Sequence, residues 1–198
     1  MRLHFFSLFA VRNHCNQRMK FASILLLFCL SSLAPDRQPI PPDSPIRLFF
    51  IQRSTNINVA VYDANLVGGK LNPKDPVRTY WYKFNTKSPI EELTTIQRTL
   101  AYGLYTSPIS GAYNTYEGHF LAYRKRKFVV KQDANGIPYA LFQINNKLQI
   151  LKRVYVKVDE SKFLTTVDYI ELFGKDPVTG RDVYEKFKPW ALHSKAKA

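Results

Sequence analysis

Between Leu148 and Asp159 the chain reads LQILKRVYVKVD, and its side chains alternate. Leu148, Ile150, Val154, Val156 and Val158 fall on one face, and Gln149, Arg153, Lys157 and Asp159 on the other. A period of two belongs to a strand with one buried face; a helix would scatter these residues around its axis. Lys152 interrupts the apolar face. Similar runs recur along the chain: RLFFIQR (Arg47 to Arg53), INVAVYD (Ile57 to Asp63), YWYKF (Tyr80 to Phe84), and stretches within 113–123, 127–132, 139–144, 166–173 and 182–187. Asp133-Ala134-Asn135-Gly136 and Asn145-Asn146 are turn signals of hairpin length, so consecutive strands are expected to pair antiparallel.

One helix is expected, at about residues 89–103. Ser88 suits the N-cap, Pro89 the first helical position, and Glu91 completes a capping box. Ile90, Leu93, Ile96, Leu100, Ala101 and Leu104 form an apolar stripe, and Gly103 ends it. The fold class is therefore α+β and β-rich. A twisted antiparallel sheet or partial barrel of about 8 strands packs against this amphipathic helix.

The rest of the chain reads as processing and linking sequence. Residues 1–34 carry Arg2, Arg12, Arg18 and Lys20, no acid, and the apolar run FASILLLFCL from Phe21 to Leu30. Ser32 and Ala34 are the small residues of a cleavage site, so these residues read as a secretory signal peptide. Met19 is the better start. An apolar run of about ten residues is too short to span a bilayer, which needs about twenty. Residues 35–45 hold five of the twelve prolines and read as a linker. A single domain over 46–190 and a basic tail over 191–198 complete the chain. Cys15 and Cys29 both precede the cut. The mature chain then has no disulfide, no thiol nucleophile and no thiolate metal site.

The formal net charge is +14, and removal of residues 1–34 leaves 25 Lys plus Arg against 15 Asp plus Glu. For an exported protein this favours an anionic envelope component or a small amphipathic ligand as partner, and not nucleic acid. His119 and His193 are the only histidines beyond the leader, and no HExxH, GxSxG or glycine-rich phosphate loop occurs. Neither a metal nor a cofactor is expected.

The candidate site residues are those that break the apolar pattern. Arg53, Asn56 and Asn58 form a polar cluster between two apolar strands, either a turn or a recognition loop. Gln97 lies within the helical stripe and needs a buried partner, from the backbone or from a ligand. Glu171 shares its strand face with Val167, Tyr169 and Phe173, so it is either ion-paired, with Arg53 or Lys152 in reach, or a general acid or base. Tyr80 and Trp81 offer core packing or a stacking surface. Arg124-Lys125-Arg126-Lys127 reads as a solvated hairpin tip or an anion patch.

The ordered run FFIQRSTNINVAVYDAN (Phe49 to Asn65), then YWYKF, AYGL (Ala101 to Leu104), VDYIELFGKD and TGRDVYEK (within 167–186) resembles a family of bacterial exported proteins. That family is catalogued as domain of unknown function 4833. The resemblance implies one intact domain behind a signal peptide, and no activity, cofactor or catalytic residue. Three readings stay open: an exported, non-enzymatic ligand- or partner-binding module, a small hydrolase of envelope glycan or lipid working through paired carboxylates, and a structural accessory protein.

Overall fold

The computed structural model describes residues 38–161 and 166–189. The expected leader of residues 1–34 with its start at Met19, the first residues of the linker and the tail over 191–198 lie outside the described residues. The compact unit described here begins at Pro39.

Strands dominate, as the alternation predicts. β1 (Arg47–Arg53) and β2 (Asn56–Ala64) form the first hairpin. A two-stranded ribbon of β3 (Leu66–Val67) and β4 (Lys70–Leu71) stands apart from the main sheet. β5 (Val77–Tyr82) returns along β2, and β6 (Ile90–Glu92) pairs at its outer edge. After the helical segment come β7 (Leu104–Pro108), β8 (Tyr116–Phe120), β9 (Tyr123–Gln132) and β10 (Pro138–Ile144), each antiparallel to the next. β11 (Lys147–Asp159), β12 (Thr166–Lys175) and β13 (Asp182–Phe187) follow as a second meander. The predicted turns form: Asn145 and Asn146 both have positive φ, 51° and 62°, the pairing a two-residue hairpin turn requires.

β11 organises the sheet. Residues 147–150 pair antiparallel with β10, and residues 153–156 pair parallel with β1 on the same edge. The opposite edge takes β12 along its length. Eleven strands thereby join into one curled, open sheet, a half-barrel.

A β-bulge at Lys152 lies between the two paired segments. Leu151 lies opposite Gly174 and Arg153 opposite Phe173, leaving Lys152 as the extra residue. The bulge exchanges the faces of the strand. Before it Gln149 and Leu151 point inward; after it Val154 and Val158 do. Leu148, expected on the buried face, is therefore 56% exposed, and Gln149 is buried. A second irregularity follows on β12. Tyr169 lies opposite Lys157 and Val167 opposite Val158, so Asp168 is extra and Val167 turns inward, away from the face of Tyr169, Glu171 and Phe173.

The inner face carries the main core. Phe49 is fully buried and stacks on Tyr62 with ring centroids 4.5 Å apart. It meets Phe120 edge-on at 5.8 Å and Phe128 at 6.4 Å, so β1 and β2 touch β8 and β9 across the curl. A smaller cluster of Phe50, Val59, Val61 and Tyr80 packs on the outer face. The proline-rich segment is partly tied down: Pro41 is buried and the Gln52 amide donates to the Pro39 carbonyl at 2.9 Å.

The helix is shorter than its stripe predicts. Residues 90–92 pair with β5 as an edge strand, because Tyr80, Trp81 and Tyr82 offer them a free ladder. The N-cap is Thr94 and not Ser88; it forms a reciprocal capping box with Gln97. The helical segment, α1 (Thr95–Gln97), passes directly into a π turn, Arg98–Tyr102. Ile90, Ile96, Leu100 and Ala101, four of the six stripe residues, are exposed.

Phe49→Ala removes a ring that, with Tyr62, joins the two halves of the curl. It is expected to lower unfolding free energy by about 3–5 kcal/mol. A urea titration followed by far-UV circular dichroism measures it; a loss below about 1 kcal/mol, the size of an ordinary surface change, contradicts the assignment.

Candidate functional site

The curl leaves a cavity of about 520 Å³ on its inner face. Ile51, Phe142, Val154, Ile170, Leu172 and Phe187 line it from five strands, and Val156 and Val167 extend the apolar wall. The two irregularities in β11 and β12 turn Val154, Val156 and Val167 to this side. Arg53 enters the lining from the end of β1, and Arg124 and Lys125 enter from the start of β9. Among the described lining residues no Asp or Glu occurs.

Tyr102 fixes the π turn that forms one lip of this cavity. Its hydroxyl accepts from Arg53 Nη1 at 3.1 Å and its carbonyl accepts from the buried Tyr62 hydroxyl at 2.8 Å. Its ring meets Trp81 edge-on at 4.8 Å. Burial pushes the Tyr62 hydroxyl well above its ordinary pKa, so it stays a donor. Gly103 closes the turn by close approach: a Cβ there would lie 1.6 Å from the Arg98 carbonyl oxygen. With Tyr102 anchored, Leu100 and Ala101 stand at the opening.

The opposite wall is a seam between β9–β10 and β13, closed by side chains. Arg126 and Glu185 make a bidentate pair at 2.7 and 3.0 Å, both largely buried. The Asn145 N–H donates to the same carboxylate at 2.9 Å, and its amide donates to the Tyr184 carbonyl. Phe187 lies under the Arg126 guanidinium at 4.2 Å and near Tyr123 at 6.3 Å. Burial opposes ionisation of Glu185, yet the bonds from Arg126 and Asn145 outweigh it and hold its carboxyl below the usual range. The Tyr123 hydroxyl is buried and has no hydrogen-bond partner among the described residues.

The sequence candidates are dispersed. Of Arg53, Asn56, Asn58, Gln97, Glu171, Tyr80 and Trp81, the cavity lining includes Arg53. The Asn56 side chain accepts from the Asn58 N–H at 2.9 Å, and the Asn58 side chain accepts from the Phe84 N–H at 3.1 Å. Gln97 serves the helix cap. Trp81 packs in the inner core behind Tyr102. Tyr80 belongs to the outer cluster, where its hydroxyl donates to Asp63 at 2.7 Å; burial, and then that bond, push it up to about 12. Glu171 accepts from the Tyr184 hydroxyl at 2.8 Å and lies 3.6 Å from Lys186, away from Arg53 and Lys152. Lys152 sits at the bulge, where burial and then Lys175 lower its pKa.

In the four-residue basic run Arg126 pairs with Glu185 and Lys127 with Glu117 at 2.9 Å, and Arg124 and Lys125 belong to the cavity lining. Sequence reasoning passed over Tyr123, Phe142 and Phe187 as binding residues. Their signal was an aromatic at an inward strand position, which is also the signal of ordinary core. Among the described residues, no cluster of three or more His, Cys, Asp or Glu is placed to hold a metal, and no helix is long and apolar enough to cross a membrane.

A family described as Domain of unknown function (DUF4833) matches residues 49–186, which include most of the cavity lining. No curated protein and no solved structure matches the chain.

Glu185→Gln tests the seam. The depressed carboxyl pKa means that ionised Glu185 stabilises the fold above the ordinary glutamate range, and that this contribution is lost as pH falls through the folded value. The substitution is expected to cost about 1–3 kcal/mol at pH 7. The difference between the two proteins should shrink as pH falls below the ordinary glutamate range and through the depressed folded value. Urea midpoints at pH 7 and pH 3.5 check both points; a constant difference contradicts the assigned role.

Proposed function

The chain belongs to the DUF4833 family, and from that premise and the cavity's geometry we propose that it is a non-enzymatic binding protein for a small amphipathic anion. The ligand's acyl or other apolar body lies along the curl, and its acidic head meets Arg53, Arg124 and Lys125. One observation carries this reading: an apolar cavity of about 520 Å³ whose charged lining is cationic throughout the described residues. Its size falls in the range of small-molecule sites, about 300–1,000 Å³. Burial of a hydrocarbon chain there supplies the driving force, and a cation held beside an apolar wall favours a carboxylate or phosphate more strongly than it would in water.

The buried Tyr123 hydroxyl supports the same reading, since a polar group of a ligand could satisfy it after a small shift. The lining favours binding over hydrolysis. Glycoside hydrolysis by the usual route needs two carboxylates facing one cleft, about 5–10 Å apart, and the described lining holds none. Glu171 is oriented to the outer face, with Tyr184 and Lys186. Export through the leader would bring the domain to an envelope rich in such anions, which fits the excess of 25 Lys plus Arg over 15 Asp plus Glu left after residues 1–34 are removed.

Titration with a fluorescent long-chain fatty acid is expected to give saturable, one-to-one binding. Val156→Trp should fill the cavity and abolish the signal. Arg53→Leu should weaken the fatty acid about tenfold, roughly the worth of one charged contact, and leave the matching fatty alcohol unchanged. Unsaturable binding, or equal loss for acid and alcohol, counts against the proposal.

A further inference from the structure

The cavity opens beside two exposed aliphatic side chains. Leu100 is 69% exposed and lines the opening; Ile96, one turn earlier, is 70% exposed. Single exposed apolar residues are ordinary on a protein surface. These two lie four residues apart on one short helical segment, where such residues share a face. The segment is rigidly held. Tyr102 is bonded through its hydroxyl, its carbonyl and its ring, and the Thr94–Gln97 box fixes the other end. The pair therefore cannot relieve its exposure by folding back onto the core.

Among the described lining residues the charge has one sign. Arg124 and Lys125 share the lining with Leu100. The nearest acids in sequence, Glu91 and Glu92, are engaged by Lys83, Arg78 and Arg98. An exposed aliphatic pair with cations in the adjoining lining matches the anionic headgroup layer of a bilayer, where aliphatic residues enter the acyl boundary and basic residues meet the headgroups. Two side chains are too small an apolar contact for a stable protein partner, which needs an interface of about 1,000 Å² or more.

We propose that the cavity mouth is a membrane-docking surface. Ile96 and Leu100 enter an anionic bilayer, Arg124 and Lys125 contact its headgroups, and an acyl ligand moves between bilayer and cavity without crossing bulk water. The docking stands on the exposed pair and the cations alone; the ligand transfer rests on the binding function proposed above.

Two measurements on the full chain separate these parts. In the first, Ile96→Trp is mixed with vesicles of phosphatidylcholine, with or without phosphatidylglycerol, whose acyl chains are brominated. The indole introduced at this position should be quenched in the anionic vesicles and not in the neutral ones. Val178→Trp, at the far end of the β12–β13 hairpin and 91% exposed, should show no added quenching over wild type. The readout is local to each indole, so binding by another part of the chain does not imitate it. Equal quenching at both positions, or none at Ile96→Trp, overturns the docking. Loss of a dimer on size exclusion in Ile96→Asp, without quenching in Ile96→Trp, overturns it in favour of a second copy as the occupant.

In the second, a pyrene-labelled fatty acid is transferred from anionic vesicles to the protein in a stopped-flow instrument. Ile96→Asp is expected to slow transfer about tenfold, by removing an aliphatic contact and adding a repelled charge at the headgroup layer. Its equilibrium affinity for the same fatty acid in solution should stay within about twofold of wild type, because Ile96 does not line the cavity. An unchanged transfer rate overturns the proposed route. Absence of solution binding by wild type, with quenching at Ile96→Trp intact, would refute the binding function and leave the docking standing.

Discussion

One edge of β11 serves two partners in succession, and the rest of the domain depends on that arrangement. β10 takes residues 147–150 and β1 takes residues 153–156, one antiparallel and the other parallel. Two meanders that are far apart in sequence are thereby joined through a single strand. An extra residue lies between the two paired segments, and it exchanges the faces of the strand. Lys152 is that residue, with a side chain that reaches solvent where an apolar one would have been exposed. The sheet then curls enough for Phe49 and Tyr62 to pack on Phe120 and Phe128.

The curl explains why this domain has a cavity at all. Full closure would need β13 to pair with β9 or β10, and its backbone partner is β12. Arg126, Glu185 and Asn145 close the gap with side chains. Side chains hold two walls apart where a ladder would draw strands to about 4.8 Å and exclude a ligand. At the other side, the π turn held by Tyr102 leaves the opening lined by Leu100 and Ala101. The apolar space, its cations and its exposed lip are thus consequences of one incomplete barrel.

Much of the architecture was legible in the chain. Period-two runs located the strands, and Asn145-Asn146 and Asp133 to Gly136 located hairpin turns, because these signals are local. The faces of β11 and β12 were not. Alternation counts residues, and a bulge adds one without a distinctive residue type, so one alternating pattern cannot hold on both sides of Lys152 or of Asp168. The helix failed at its start for a related reason. Ser88, Pro89 and Glu91 are sound capping residues, but β5 offered Ile90 to Glu92 a strand edge, and pairing there satisfies more backbone groups than a further helical turn. The candidate site was legible at Arg53, Arg124 and Lys125, cations next to apolar runs. Asn56, Asn58 and Gln97 stood out as polar for a different reason, since each serves the backbone nearby.

The amino-acid sequence by itself determined the strand-rich class, the hairpin order of the second half and the basic charge, all of which follow from neighbours in the chain. Tertiary structure decided which side of each strand became interior, which of the cations share one space, and that an aliphatic pair would stand exposed beside it. Those outcomes depend on pairing between residues about a hundred positions apart, Phe50 with Arg153 and Ile51 with Val154. No local pattern encodes that registry, because its energy comes from surfaces that exist only after the strands have met.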